Sequence, residues 1–113
     1  MAHLVVAVIK PYKLEEVKDA LRGAGIAGLT VSEVQGFGRQ GGKSETFRGS
    51  EYTVEFVPKV KLEVLCDSAE VEAVVDLVTA AAKTGKIGDG KIWAVSVDRL
   101  LRVRTGESGE DAL

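Results

Sequence analysis

The segment Gly36 to Val57, GFGRQGGKSETFRGSEYTVEFV, is the strongest constraint on how this chain of 113 residues folds. It has no stripe of apolar residues to bury, yet it separates two stretches rich in core-forming side chains. A loop of roughly twenty residues is uncommon inside a small compact domain, and where it occurs it is functional or disordered. This one is dense in glycine (Gly36, Gly38, Gly41, Gly42, Gly49), carries Arg39, Lys43 and Arg48, and holds Tyr52 between Glu51 and Glu55. A core gains nothing from such a segment. The flanking halves must build the fold, and the loop is the part that meets another molecule.

Each half reads as strand, helix, strand. In the first, Leu4–Ile9 is the continuous apolar run LVVAVI, suited to a buried central strand and ended by Pro11. Leu14, Val17, Leu21 and Ala24 make a helical stripe over 14–24, stopped by Gly23 and Gly25. A second strand follows at Leu29–Gln35. In the second half, KVKLEVLC over Lys59–Cys66 alternates strictly up to Leu65, and Pro58 marks a bend or an edge position. Asp67 with Glu70 forms a capping-box start for a helix over 67–83, with Val71, Val74, Val75, Val78 and Ala82 as its stripe. Ile92–Val97 is the fourth strand, with Trp93, Val95 and Val97 on one face. A short strand-like alternation, Leu101–Arg104, precedes a polar tail over 105–113 that the composition predicts to be mobile.

The order β-α-β-loop-β-α-β predicts an α+β, ferredoxin-like βαββαβ sandwich in a single domain, 1–113, with both helices on one face of an antiparallel sheet. No third layer is available for the other face, and covering it with further copies of the chain is the economical solution.

Composition narrows function. Net charge is −2, and aromatics make up 5%. A nucleic-acid binder ordinarily shows a basic excess or stacking aromatics, so no nucleic-acid partner is expected. No apolar run reaches the roughly 18 residues of a membrane span, and no signal-peptide pattern opens the chain; a cytoplasmic protein without direct membrane insertion is expected. The single cysteine, Cys66, sits among apolar neighbours and reads as a small buried hydrophobe. His3 is the only histidine and lies at a strand margin, so no histidine-based catalytic pair is available.

Positive charge is local rather than global. Thr84–Lys91, TGKIGDGK, combines three glycines with two lysines and suits an anion held by open backbone amides, although a Gly-rich turn with solvated lysines reads equally well. It is not a Walker motif: Ile92 stands where Ser or Thr would hold Mg²⁺, and the order is helix–loop–strand. Arg102 and Arg104, two apart on a strand-like segment, would project to one side and offer forked donors to phosphate, unless they are simply a solvated edge. Asp89 is either a polar ligand contact or a turn former. The remaining carboxylates show no catalytic spacing. Binding is expected, and no enzyme.

GFGRQ at Gly36–Gln40, RGSEY at Arg48–Tyr52, TGKIGDGK at Thr84–Lys91 and RVRTGE at Arg102–Glu107 resemble the nitrogen-regulatory PII signal-transduction proteins, as do IKP at Ile9–Pro11 and VPKVKLE at Val57–Glu63. The resemblance spans essentially the whole chain. It implies a homotrimer that regulates nitrogen metabolism by sensing ATP, ADP and 2-oxoglutarate. The nucleotide would lie between subunits, cradled by Thr84, Gly85, Lys86, Gly88, Asp89, Gly90 and Lys91 of the 84–91 loop. Thr30, Gly38, Arg39, Gln40, Glu63 and Leu65 would share that side of the cleft, and Arg102 and Arg104 would reach phosphates from the neighbouring subunit. Gln40 would join Mg²⁺, the ATP phosphates and 2-oxoglutarate, and Lys59 would pair with a 2-oxoglutarate carboxylate. Tyr52 would be the nucleotidylated tyrosine. Partners reading the regulatory loop, 36–57, would be an ammonium transporter, nucleotidyltransferases, or other nitrogen and carbon metabolic enzymes; the loop tip Gly41–Ser44 decides which. Two alternatives stand beside this: a small phosphohydrolase on the same fold, and an RNA-binding ferredoxin-like module, which the acidic charge and the shortage of aromatics disfavour.

Overall fold

The computed structural model describes residues 1–37 and 55–113. Gly38, Arg39, Gln40, Arg48 and Tyr52, expected in the long loop, therefore lie outside the described residues. Four strands form one antiparallel sheet in the order β2-β3-β1-β4: β1 (Ala2–Ile9), β2 (Thr30–Gly36), β3 (Val57–Asp67) and β4 (Gly90–Ser96). Helices α1 (Leu14–Gly23) and α2 (Val71–Ala82) join β1 to β2 and β3 to β4. Each helix crosses over a strand of the other half, so the two strand–helix–strand units interlock. This is the ferredoxin-like arrangement expected from the element order.

The central position of β1 explains its unbroken apolar sequence. It pairs along its length with β3, Ala2 opposite Asp67 through Ile9 opposite Val60, and with β4, His3 opposite Ser96 through Ile9 opposite Gly90. On the face under the helices, Val5, Ala7, Ile9, Val60, Leu62, Val64 and Cys66 pack against Val17 and Leu21 of α1 and Val74, Val78 and Ala82 of α2. Truncating such a residue, Leu62 for instance, to alanine costs about 2–5 kcal/mol. Burial also pushes the Cys66 thiol up from its ordinary value, which suits an inert packing role.

The start of α2 is built as the local sequence predicts. The Asp67 carboxylate accepts from the Ala69 amide at 3.1 Å, and Glu70 accepts from the Asp67 amide at 3.3 Å, closing the capping box. A 3-10 turn precedes each helix, Pro11–Lys13 and Ser68–Glu70, so the α-helical spans are shorter than the apolar stripes suggest. Pro58 lies inside β3, opposite Gln35 of β2, but beyond Val60, where β1 stops pairing. Its missing N–H thus faces no partner strand on the β1 side, the local edge expected of it.

The opposite sheet face is open. Leu65, Trp93 and Val95 are 45%, 45% and 47% exposed, a contiguous apolar set across β3 and β4 on either side of β1. Trp93 and Val95 share this face, as the alternation predicts.

Two expectations near the C-terminal end are corrected. The segment 101–104 is not a strand: Leu101 makes one isolated bridge to Ser108, and 103–105 is a turn closed by the Gly106 amide on the Arg102 carbonyl at 2.8 Å. Gly106 has φ +77°, which drives that reversal. Arg104 therefore lies within the turn and Arg102 just before it, instead of both lining one side of a strand. The tail 105–113, expected to be mobile, folds back through a 3-10 turn at Gly109–Ala112, with Gly109 donating to the Leu100 carbonyl at 2.9 Å.

One glycine is fixed by close approach. Gly90 begins β4 at φ +105°, and a Cβ there would lie 1.8 Å from the Val8 carbonyl oxygen. Gly25 has a similar φ of +90° but open space around it. Gly25→Ala should cost the ordinary left-handed penalty of about 1–2 kcal/mol. Gly90→Ala should cost clearly more, because β1 and β4 must also separate. Paired urea melts check this, and equal losses would show that the junction yields freely.

A buried ammonium beside a glycine loop

The loop 84–90 is closed on itself by Asp89. Its carboxylate accepts from the backbone amides of Thr84 and Gly85, each at 2.8 Å, and from the Thr84 hydroxyl. The Thr84 oxygen in turn accepts from the Lys86 amide at 3.1 Å. Lys10, at the end of β1, closes the neck from the other side, 3.3 Å from Asp89 and 3.3 Å from the Thr84 hydroxyl oxygen. These contacts hold the Asp89 carboxyl well below the usual carboxylate range, the Thr84 hydroxyl contributing most. Of the two readings open for Asp89, turn former is the one the geometry displays: both its oxygens are engaged within the loop and by Lys10.

Lys59 is the unusual group. Only 8% exposed, it is the one charged residue buried among the described residues, and its Nζ donates to the Gly88 carbonyl. Burial pushes its ammonium down from the ordinary lysine value, and the nearby Lys10 charge adds to this while Asp89 opposes it. A lysine whose proton is held less firmly in the folded protein opposes folding while charged, and that cost is relieved as pH rises through the lowered value. A bound anion would offset the same cost.

A second feature lies further along the open face. Thr30, Glu63 and Leu65 come together with Leu4, Gly28, Leu29 and Val97 in an open cleft of about 680 Å³, with Ala112 and Leu113 at its margin. Its lining is mainly apolar, with a hydroxyl and a carboxylate at the edges. The structure thus groups the predicted residues in two places. Thr84, Gly85, Lys86, Gly88, Asp89 and Gly90 form the loop, with Lys91 following in β4 and Lys59 bonded to Gly88, while Thr30, Glu63 and Leu65 line the cleft. Strand β3 carries members of both. Arg102 lies outside the loop group, 3.6 Å from Glu107 and donating at 2.7 Å to the carbonyl oxygen of Leu113, itself a cleft-lining residue; Arg104 is exposed.

Sequence reasoning missed Lys10 and six cleft-lining residues: Leu4, Gly28, Leu29, Val97, Ala112 and Leu113. Lys10 lies within the IKP motif that carries part of the family resemblance, yet nothing local gives it a role, its Asp89 partner being 79 positions away. Among the described residues, no three His, Cys, Asp or Glu side chains gather as a metal site, and no helix is long and apolar enough to cross a membrane.

Fold and site together define a small α+β domain with an open sheet face and a buried ammonium beside a glycine-rich loop. Its relatives make the class specific. The family model described as Nitrogen regulatory protein P-II matches residues 2–107. The chain is 57% identical over 109 residues to the nitrogen regulatory protein P-II of Nostoc punctiforme, spanning 96% of this chain and 97% of that one. It is 54% identical over 110 residues to the nitrogen regulatory protein GlnK of Escherichia coli K12, spanning 97% and 98%. The crystal structure of Arabidopsis thaliana PII bound to citrate superposes with a TM-score of 0.82 at 39% identity, covering 99% of this chain and 92% of that one. The chain belongs to the nitrogen regulatory P-II family, and it is a regulator rather than an enzyme.

Because the folded state holds Asp89 ionised more firmly than the unfolded chain does, its contribution is complete above the ordinary carboxylate value of about 4 and fades as pH falls through the lower folded value. Stability of the wild type should therefore fall more steeply between about pH 5 and pH 2 than that of Asp89→Asn. Urea melts across that range test it; parallel profiles would mean that the charge does not hold the loop.

Proposed function

We propose that the chain acts as a homotrimer that senses ATP, ADP and 2-oxoglutarate and reports their state to partner proteins through the loop 36–57. The observation that carries this reading is Lys59, a buried ammonium whose hydrogen-bond acceptor, among the described residues, is the Gly88 carbonyl. A carboxylate brought to it supplies the missing counter-charge, and charge-assisted hydrogen bonds are the strong ones. Citrate bound to the Arabidopsis relative supports a carboxylate ligand on this fold.

The cleft at Thr30, Glu63 and Leu65 fits a flat heteroaromatic base: its walls are apolar, and a hydroxyl and a carboxylate stand ready for ring nitrogens. Phosphates would then meet the loop amides, Lys86 and Lys91, with Gly38, Arg39 and Gln40 at the base of the regulatory loop. Arg102 and Arg104 would serve the neighbouring subunit's nucleotide. For Arg102 this requires its guanidinium, now against Glu107 and the Leu113 carbonyl, to turn some of its five donors to the phosphate. Mg²⁺ would be held by the ATP phosphates, 2-oxoglutarate and Gln40, neutralising charge between the two ligands. The apolar set Leu65, Trp93 and Val95 supports assembly, since further copies would cover it.

Signalling follows from population shift. Each ligand biases the loop by the difference in its affinity for two loop states, and no further chemistry is required. Tyr52 is the proposed site of nucleotidylation. An ammonium transporter, nucleotidyltransferases and cytoplasmic enzymes of nitrogen and carbon metabolism are the proposed readers.

Calorimetric titration of 2-oxoglutarate should show binding with Mg-ATP and none with Mg-ADP, and Lys59→Met should weaken it by at least about tenfold, the scale of one hydrogen bond to a charged group. Absence of binding under both conditions removes the 2-oxoglutarate reading. Arg39→Ala and Lys91→Ala should each weaken ATP binding, while Tyr52→Phe leaves it near wild type and abolishes modification; equal ATP affinities in all three would overturn the pocket assignment.

A further inference from the structure

Lys10 belongs to none of the roles above, yet it touches the groups that shape the Lys59 site. It comes from the end of β1, Lys59 from the start of β3 and Asp89 from the approach to β4, so three separate elements converge. The Lys10 and Asp89 side chains are 19% and 25% exposed. Two ammonium groups thus lie near one partly exposed carboxylate. Asp89 pairs with Lys10, while Lys59 bonds the Gly88 carbonyl.

That division of partners has a consequence. Without Lys10, the Asp89 carboxylate would be the nearest counter-charge for Lys59, and any carboxylate ligand would have to compete with it. We infer that Lys10 is a positioning residue of the carboxylate site: it neutralises Asp89 and fixes Thr84 at the loop neck, which keeps the Lys59 charge available for a bound carboxylate. This rests on reading Lys59 as the carboxylate-binding group. The charged groups facing Lys59 among the described residues are Lys10, which presses its proton off, and Asp89, which retains it. Replacing Lys10 by an uncharged side chain removes the first and releases the second, and both changes act in the same direction.

The experiment begins with ligand-free protein, so that it does not depend on the identity of the ligand. Lysine side-chain ¹³Cε shifts are followed by NMR against pH in the wild type, Lys10→Met and Lys10→Arg, with a thermal melt of each to establish folding. Lys59 should titrate at higher pH in Lys10→Met and return to its wild-type position in Lys10→Arg. An unmoved Lys59 in a folded Lys10→Met protein overturns the inference. So does a Lys10→Arg protein that behaves like Lys10→Met, since a merely steric role then suffices. Titration of 2-oxoglutarate with Mg-ATP follows: Lys10→Met should bind about tenfold more weakly, the scale of one partly buried charge, and Lys10→Arg close to wild type. Equal affinities overturn the inference. A wild type that binds no 2-oxoglutarate overturns the ligand half together with the carboxylate reading, while the Lys59 titration still decides the electrostatic half.

Discussion

The structure depends on the double pairing of β1. Because β1 accepts β3 on one edge and β4 on the other, each strand–helix–strand unit is completed by a strand from the other half. Neither half can bury its apolar face alone, and both helices are forced onto the same side of the sheet. The consequences run outward from there. The end of β1 delivers Lys10 to the loop neck, the close approach of Val8 requires glycine at 90, and the extension of β3 past β1 carries Lys59 beside Gly88. The site is a product of strand lengths as much as of side chains.

The same pairing divides the two sheet faces unequally. One is filled by α1 and α2; the other shows Leu65, Trp93 and Val95 to solvent in the single chain. Val6 is an instructive exception. It points to the open face by alternation, yet it is 4% exposed, because neighbours on both flanking strands shield it. A central strand can therefore be apolar on both sides even where no layer covers one of them, which is why LVVAVI reads as continuous rather than alternating.

Features whose cause is local were legible in the sequence. The capping box of Asp67 and Glu70 acts over three residues, and the alternation from Val60 to Cys66 states which face of β3 is buried. Turn energetics and long-range convergence were not legible. Leu101-Arg102-Val103-Arg104 carries a strand's period of two, but two hydrogen bonds across Gly106 and Glu107 favour a reversal, and pattern yields to them. The predicted cleft residues Thr30, Glu63 and Leu65 do meet in one place, whereas their apolar companions Leu4 and Val97 carry no signal that separates them from core. Lys59 was singled out only through family resemblance. Its burial, the physical property that sets it apart, belongs to the fold and not to the alternating run in which it sits.

A lysine buried on a strand's outer face is costly, and it persists where something else requires it. Here Lys59 lies on β3 four residues from Glu63 and six from Leu65, so one rigid strand carries both the ammonium and part of the cleft. The separation along a strand is about 3.3 Å per residue, which leaves the two places distinct but fixed relative to each other. The cleft and Lys59 therefore sit at fixed positions on the strand that meets β2 at the base of the connecting segment. Phe37 and Phe56, packed edge to face with centroids 5.6 Å apart, brace that base where β2 and β3 end. The ammonium, the cleft and the stem are thus held by one pair of strands, so their relative positions are set by the sheet and not by the connecting segment.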